Sequence, residues 1–149
     1  MKIALIFGFI LASTAAGAEN WINISDEDNT SYYFDKDSIT SRYDPKGDLI
    51  VSMWTMYPSE YPIMEGTVAN QMLNHANCSD MSLKHAEMLE IDGDGEILWR
   101  LSQMKNKVDL SSVMPLDYYY PKPNSEYHIN LEVMCNDATI ELGFKNAAI

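Results

Sequence analysis

The nine residues at 49–57, LIVSMWTMY, constrain this chain more than any other stretch. They are mostly β-branched or aromatic; Gly47 and Asp48 precede them and Pro58 follows. An apolar run of this length between turn residues reads as one strand. Both alternating faces carry bulk, with Leu49, Val51, Met53 and Tyr57 on one and Ile50, Trp54 and Met56 on the other. A strand with two apolar faces is normally covered on both sides, which predicts a central place in its sheet.

Residues 1–18 read as a signal peptide rather than as part of the fold. Lys2 supplies a positive start, residues 3–12 an apolar core, and Ala16-Gly17-Ala18 a small-residue cleavage site. The apolar core is shorter than the ~20 residues that span a bilayer as a helix. No cysteine adjoins the cleavage region, which excludes lipid attachment at a new N-terminal cysteine. Residues 19–149 suit one domain, since domains most often run to ~100–150 residues.

The net charge of −12 argues against nucleic acid or anionic lipid as a partner held by a general field. It fits attraction of cations or a basic partner, or simple solubility of an exported chain. Cys78 and Cys135 are the only cysteines. In an oxidising compartment the simplest outcome is one disulfide. It would close a loop of 57 positions, and a crosslink of that span is worth about 4 kcal/mol in the chain-entropy account.

Along the chain, residues 21–24 and 31–34 read as short strands, separated by the acidic turn SDEDN at 25–29. A turn at 35–38 and another at 41–48 lead into the central strand. Residues 58–66 hold two prolines and a glycine and read as a surface loop. Residues 67–77 are ambiguous, because Val68, Met72, Leu73 and Ala76 sit at helical spacing while the approach to Cys78 is equally compatible with a strand. Residues 83–91 are mixed too. Asp92-Gly93-Asp94-Gly95 then joins them to an alternating segment at 96–101, the strongest local hairpin signal present. Residues 102–122 form a long polar connection ending in a Tyr-Tyr-Tyr-Pro run. Residues 125–135 alternate cleanly from Tyr127 to Cys135, yet Tyr127, Leu131, Met134 and Cys135 also fit a helix started by Pro123 to Glu126. The tail reads as a short edge strand at 139–144 or as a frayed end.

The order of landmarks resembles the surface-adhesin protein E family of Gram-negative bacteria. These landmarks are Trp21 near the mature start, the segment YYFDKDSI at 32–39, a strand with a central Trp54, Cys78 ending one segment, and Val133-Met134-Cys135 ending another. The resemblance implies an α+β fold: an antiparallel sheet with one packed helix at 125–134, tied to a strand by Cys78 and Cys135. It also implies strands at 71–78 and 83–91, and adhesion as the named activity. Two departures stand out. The lipid-anchoring cysteine is missing, and the acidity argues against polyanions such as heparan chains.

Other constellations are weaker. Residues 92–97, DGDGEI, look like the middle of a calcium loop, but with Gly95 in the glycine position the closing acid would be Leu101. His75, Cys78 and His85 outline a metal site without a fourth ligand. Met53 and Met56 would face opposite sides of a strand, which suits packing better than copper binding. No nucleophile stands in a recognisable setting. The expectation is therefore a non-enzymatic protein with no catalytic residue, no metal and no cofactor.

Tyr118, Tyr119 and Tyr120 are the candidate contact residues for a protein partner, because tyrosine offers rigid area with a polar tip. The acidic loop around Asp26 and Asp28 is a second candidate. The expected role is non-catalytic binding at the bacterial envelope, with a periplasmic housekeeping or stress role as the alternative.

Overall fold

The computed structural model describes residues 20–24, 32–102 and 117–148. Residues 1–18, read from the sequence as a signal peptide, and the contact candidates Asp26 and Asp28 lie outside the described residues.

Seven strands form one antiparallel sheet: β1 (Trp21–Asn23), β2 (Tyr33–Asp35), β3 (Thr40–Tyr43), β4 (Leu49–Pro58), β5 (Ala69–Asn77), β6 (Ser82–Ile91) and β7 (Ile97–Ser102). The order is β1-β2-β4-β5-β6-β7, and β3 also pairs with β4. The predicted central strand is β4. It pairs with β5 along one edge from Ile50 to Pro58. Its other edge is shared, with β3 beside Leu49 to Ser52 and β2 beside Thr55 and Met56.

The break between β2 and β3 explains the segment at 32–39. A single 3-10 turn, Lys36–Ser38, interrupts what is otherwise one strand along β4. The Asp35 carboxylate accepts the Asp37 and Asn20 N–H groups at 3.0 and 3.1 Å. The Ser38 hydroxyl accepts the Trp54 N–H at 2.9 Å, replacing a ladder bond lost at the break. Ile39 then drops into the core at 1% exposure.

Residues 69–77 are a strand despite their helical spacing. Its buried side is Asn70, Met72, Asn74 and Ala76 in strict alternation, and the two asparagines hide that pattern in the sequence; the register shift opposite Leu73 and Asn74 falls on β6, where Ala86 is the extra residue. Residues 82–91 are also a strand, and Asp92 to Glu96 close the β6–β7 hairpin as expected. The Asp92 carboxylate accepts the Asp94 and Glu96 N–H groups, each at 2.9 Å, and Gly95 supplies a positive φ of 83°.

Two helices follow, α1 (Glu126–Met134) and α2 (Asp137–Ala147). The first is the helix implied by the family resemblance. Ser125 caps it, and Cys135 at its end is bonded to Cys78 just past β5, with Cα atoms 5.4 Å apart. The second corrects the sequence reading: there are two packed helices, not one, and residues 139–144 are not an edge strand. Ile140, Leu142 and Phe144 alternate and so imitate a strand. The stripe that α2 buries is made of small residues instead, Thr139 and Gly143. A Cβ on Gly143 would meet Ser41 on β3, with the Ser41 backbone nitrogen at 2.8 Å. Asn136 caps the start of α2, and Asn146 near its end donates to the Ile39 carbonyl at 2.9 Å.

Both helices lie on one face of the sheet. Val51, Met53, Ala76 and Leu83 from the strands meet Leu131 and Met134 of α1, and all are essentially excluded from water. Toward the far end of the same face, Met72, Met88 and Leu101 pack with Tyr57 and Trp99. There the Glu90 carboxylate, 1% exposed, accepts the Ile63 and Met64 N–H groups at 2.7 and 2.8 Å and the Thr67 hydroxyl at 2.9 Å. Three donors to one buried carboxylate fix the loop before β5. Glu90 would be the first calcium ligand of the 92–97 run, and its oxygens are committed to that loop instead.

The expectation that both faces of β4 are covered holds in full for one face only. On the other, Ile50 is buried at 3% exposure, while Ser52, Trp54 and Met56 are half-buried.

Candidate functional site

The open face is built by register. Thr40, Ser52, His75 and Lys84 are direct cross-strand partners on β3, β4, β5 and β6. Residues paired in this way share a face, with Cβ atoms about 5 Å apart. Their neighbours in sequence, Ser41, Val51, Ala76 and Leu83, are the buried set under the helices. Alternation therefore turns the row Thr40–Ser52–His75–Lys84 away from the helices. Arg42, two residues beyond Thr40, shares that side. On the other flank of the row lie Trp54 and Leu73, a direct cross-strand pair.

His75 is the centre of the row. Its Nδ1 lies 2.7 Å from the Ser52 hydroxyl. Partial burial, with the positive charges of Arg42 and Lys84 added, lowers its pKa to about 4, so the ring is neutral at pH 7. Among the described residues, neither Arg42 nor Lys84 has a carboxylate within ion-pair distance. Arg100 differs, since it pairs with Glu87 at 3.2 Å.

The tyrosine trio divides across the two faces. Tyr119 forms a backbone bridge with Leu83, exchanging two hydrogen bonds of 2.9 Å. Its side chain turns under the helices, and its hydroxyl lies 2.7 Å from His85 Nε2. His85 Nδ1 in turn lies 2.7 Å from Asn74 Oδ1, and the Asn74 amide donates to Thr55 at 2.9 Å. An amide oxygen only accepts, so His85 carries its proton on Nδ1 and accepts the Tyr119 O–H at Nε2. Burial lowers the His85 pKa to about 4 and raises that of Tyr119. Tyr119 is thus an anchor of the fold. Tyr118 and Tyr120 are 40% and 72% exposed. The Lys84 ammonium sits 6.0 Å from the Tyr118 ring centre, within cation–π range.

The outlined metal site does not assemble. His75 is on the open face, His85 is under the helices, and Cys78 is in the disulfide. Among the described residues, no group of three or more His, Cys, Asp or Glu side chains is placed to hold a metal ion. Met53 is fully buried and Met56 is on the opposite, half-exposed side.

Sequence reasoning singled out Tyr118 and Tyr120 but missed Arg42, Ser52 and Lys84. The signal for them is cross-strand pairing, which alternation within any one strand does not reveal.

The molecule is thus a mixed α+β protein: an antiparallel sheet with two C-terminal helices on one face and a disulfide joining helix to sheet. The crystal structure of protein E from non-typeable Haemophilus influenzae is similar to it, with a TM-score of 0.52 over 91% of this chain and 89% of that one. Identity is 18%, so the likeness establishes a shared fold. No family model matches the chain, and no curated protein sequence does. Among the described residues, no helix is long and apolar enough to cross a membrane.

Proposed function

We propose that this chain is an exported, non-catalytic binding protein of the bacterial envelope, with residues 1–18 removed as a signal peptide. The observation that carries this reading is the fold shared with protein E along nine-tenths of the chain. It is strengthened by the family landmarks, which the fold gives physical roles: Asp35 and Ser38 build the break between β2 and β3, and Cys78 and Cys135 clamp α1. The contact surface is the open sheet face and its margin. Tyr118 and Tyr120 offer aromatic area there, and Trp54 and Leu73 continue it across the strands.

Protease shaving of intact and lysed cells that produce the chain tests the reading. Loss from intact cells puts the protein at the surface and makes adhesion its role. Protection until lysis, with residues 1–18 removed, puts it in the periplasm with an envelope partner. Retention of residues 1–18 on a chain found in the cytosol contradicts the proposal.

A further inference from the structure

We infer that the open face docks an acidic peptide segment of a partner protein, held between Arg42 and Lys84 across the His75 row. This rests on the reading of the chain as a binding protein and specifies the chemistry of its partner.

Charge complementarity is the first ground. The chain is strongly acidic overall at −12. Two cations nevertheless flank one row of the open face, and neither has a carboxylate partner among the described residues. The nearby acids, Asp44, Asp48 and Asp80, keep their charge but act on Tyr118 at the margin, whereas the charges acting on His75 are those of Arg42 and Lys84. Asp44 accepts the Lys46 and Asp48 N–H groups, Asp48 accepts from Asn77, and Asp80 accepts both donors of Ser82. Glu87, next along β6, is committed to Arg100.

Geometry is the second ground. Arg42 and Lys84 stand on β3 and β6, three strand spacings apart and two residues out of line, which is about 16 Å. An extended peptide covers about the same distance in five residues. Acidic side chains at alternate positions would therefore fall over Arg42, the Ser52–His75 pair and Lys84 in turn. Arg42 offers a carboxylate its two-pronged fork and Lys84 a point charge. The Thr40 hydroxyl adds a neutral donor, while Tyr118 and Trp54 border the row with aromatic area.

A protein segment fits better than nucleic acid or an anionic membrane. Those polyanions are held by broad positive fields, which a chain of this charge does not produce. A local pair of cations with adjoining apolar surface instead suits a short segment of mixed character.

The probe is the blocked peptide acetyl-Glu-Thr-Glu-Thr-Glu-amide, with the Gln-for-Glu peptide and inorganic phosphate as comparisons. Binding to the full folded chain is read from the NMR ring signals of His75, with those of His85 as an internal control under the helices. The account expects saturable movement of the His75 signals with the acidic peptide and none at His85. It expects about a tenfold weaker interaction for the double variant Arg42→Gln/Lys84→Gln and for the Gln peptide. Three results would overturn it: no saturable shift, an equal response to the Gln peptide, or phosphate binding as tightly as the acidic peptide. None of these bears on location, which cell shaving decides independently.

Discussion

The two faces of this sheet are made by the same four strands and share almost nothing chemically. Under the helices, Val51, Met53, Ala76 and Leu83 meet Leu131 and Met134, and four polar residues among them are tied into a chain from Thr55 through Asn74 and His85 to Tyr119. On the far side, the residues one step along in sequence are Ser52, Trp54, His75 and Lys84, half-exposed and only partly partnered. Two histidines make the contrast sharp. His85 has both ring nitrogens engaged inside the fold, whereas His75 has one nitrogen on Ser52 and two cations beside it. A buried polar network that is fully satisfied specifies a core; the same residue type on an open face, with loose cations nearby, suits recognition.

If the covered face holds the fold together, damage there should dominate stability. The largest loss is expected from Cys78→Ala/Cys135→Ala, which frees α1 from the sheet. Denaturant unfolding should show a cost of about 4 kcal/mol for a loop of this span. Leu131→Ala should follow at about 3 kcal/mol, because the side chain is 1% exposed and leaves a cavity between helix and sheet.

Acid should act next. His85 is neutral in the fold with its pKa lowered from 6.5 to about 4. Above pH 6.5 both folded and unfolded chains are neutral at this position, and stability is complete. Between pH 6.5 and 4 the unfolded chain takes up a proton that the folded chain refuses, so stability drains away as pH falls. The loss attributable to His85 is on the order of 2 kcal/mol. His75 shifts in the same direction and adds to the trend. Melting curves from pH 7 to 4.5 should show the decline, and His85→Gln should flatten it.

The smaller effects sharpen the contrast. Tyr119→Phe removes only the hydroxyl bonded to His85 and should cost about 1 kcal/mol in denaturant unfolding. Arg42→Gln/Lys84→Gln, on the open face, should change unfolding free energy by less than about 0.5 kcal/mol. A double variant that melts as early as Leu131→Ala would erase the distinction between the faces.

Much of the fold was legible in the sequence, for reasons that differ from place to place. The central strand was written in a nine-residue run that is apolar except for Ser52 and Thr55. The β6–β7 hairpin was written in Asp92 to Gly95, because turn chemistry is local. The disulfide followed from there being two cysteines in a chain read as exported. The strand β5 was masked because its buried side alternates asparagine with apolar residues, at Asn70 and Asn74, so hydrophobicity does not follow burial. The second helix was masked because its fully buried positions are Thr139 and Gly143, which carry little hydrophobic signal, while Ile140 and Leu142, which also pack on the core, alternate with Phe144 as in a strand. The candidate site was legible only in part. Tyr118 and Tyr120 stand together in sequence, but Arg42, Ser52, His75 and Lys84 come from four strands and meet only through pairing. The trio of tyrosines concealed the turn of Tyr119 into the interior, which depends on its bridge to Leu83.

The division between a sealed and an open face is tested most directly by peroxide oxidation of the folded chain, with each methionine followed by peptide mass. Met53 and Met56 lie three residues apart on β4, one fully buried and one half-exposed. The account predicts that Met56 oxidises with the exposed Met64 and Met81, while Met53 and Met134 persist until the chain unfolds. Oxidation of Met53 in step with Met56 in a chain that remains folded, or equal protection of both, would contradict it.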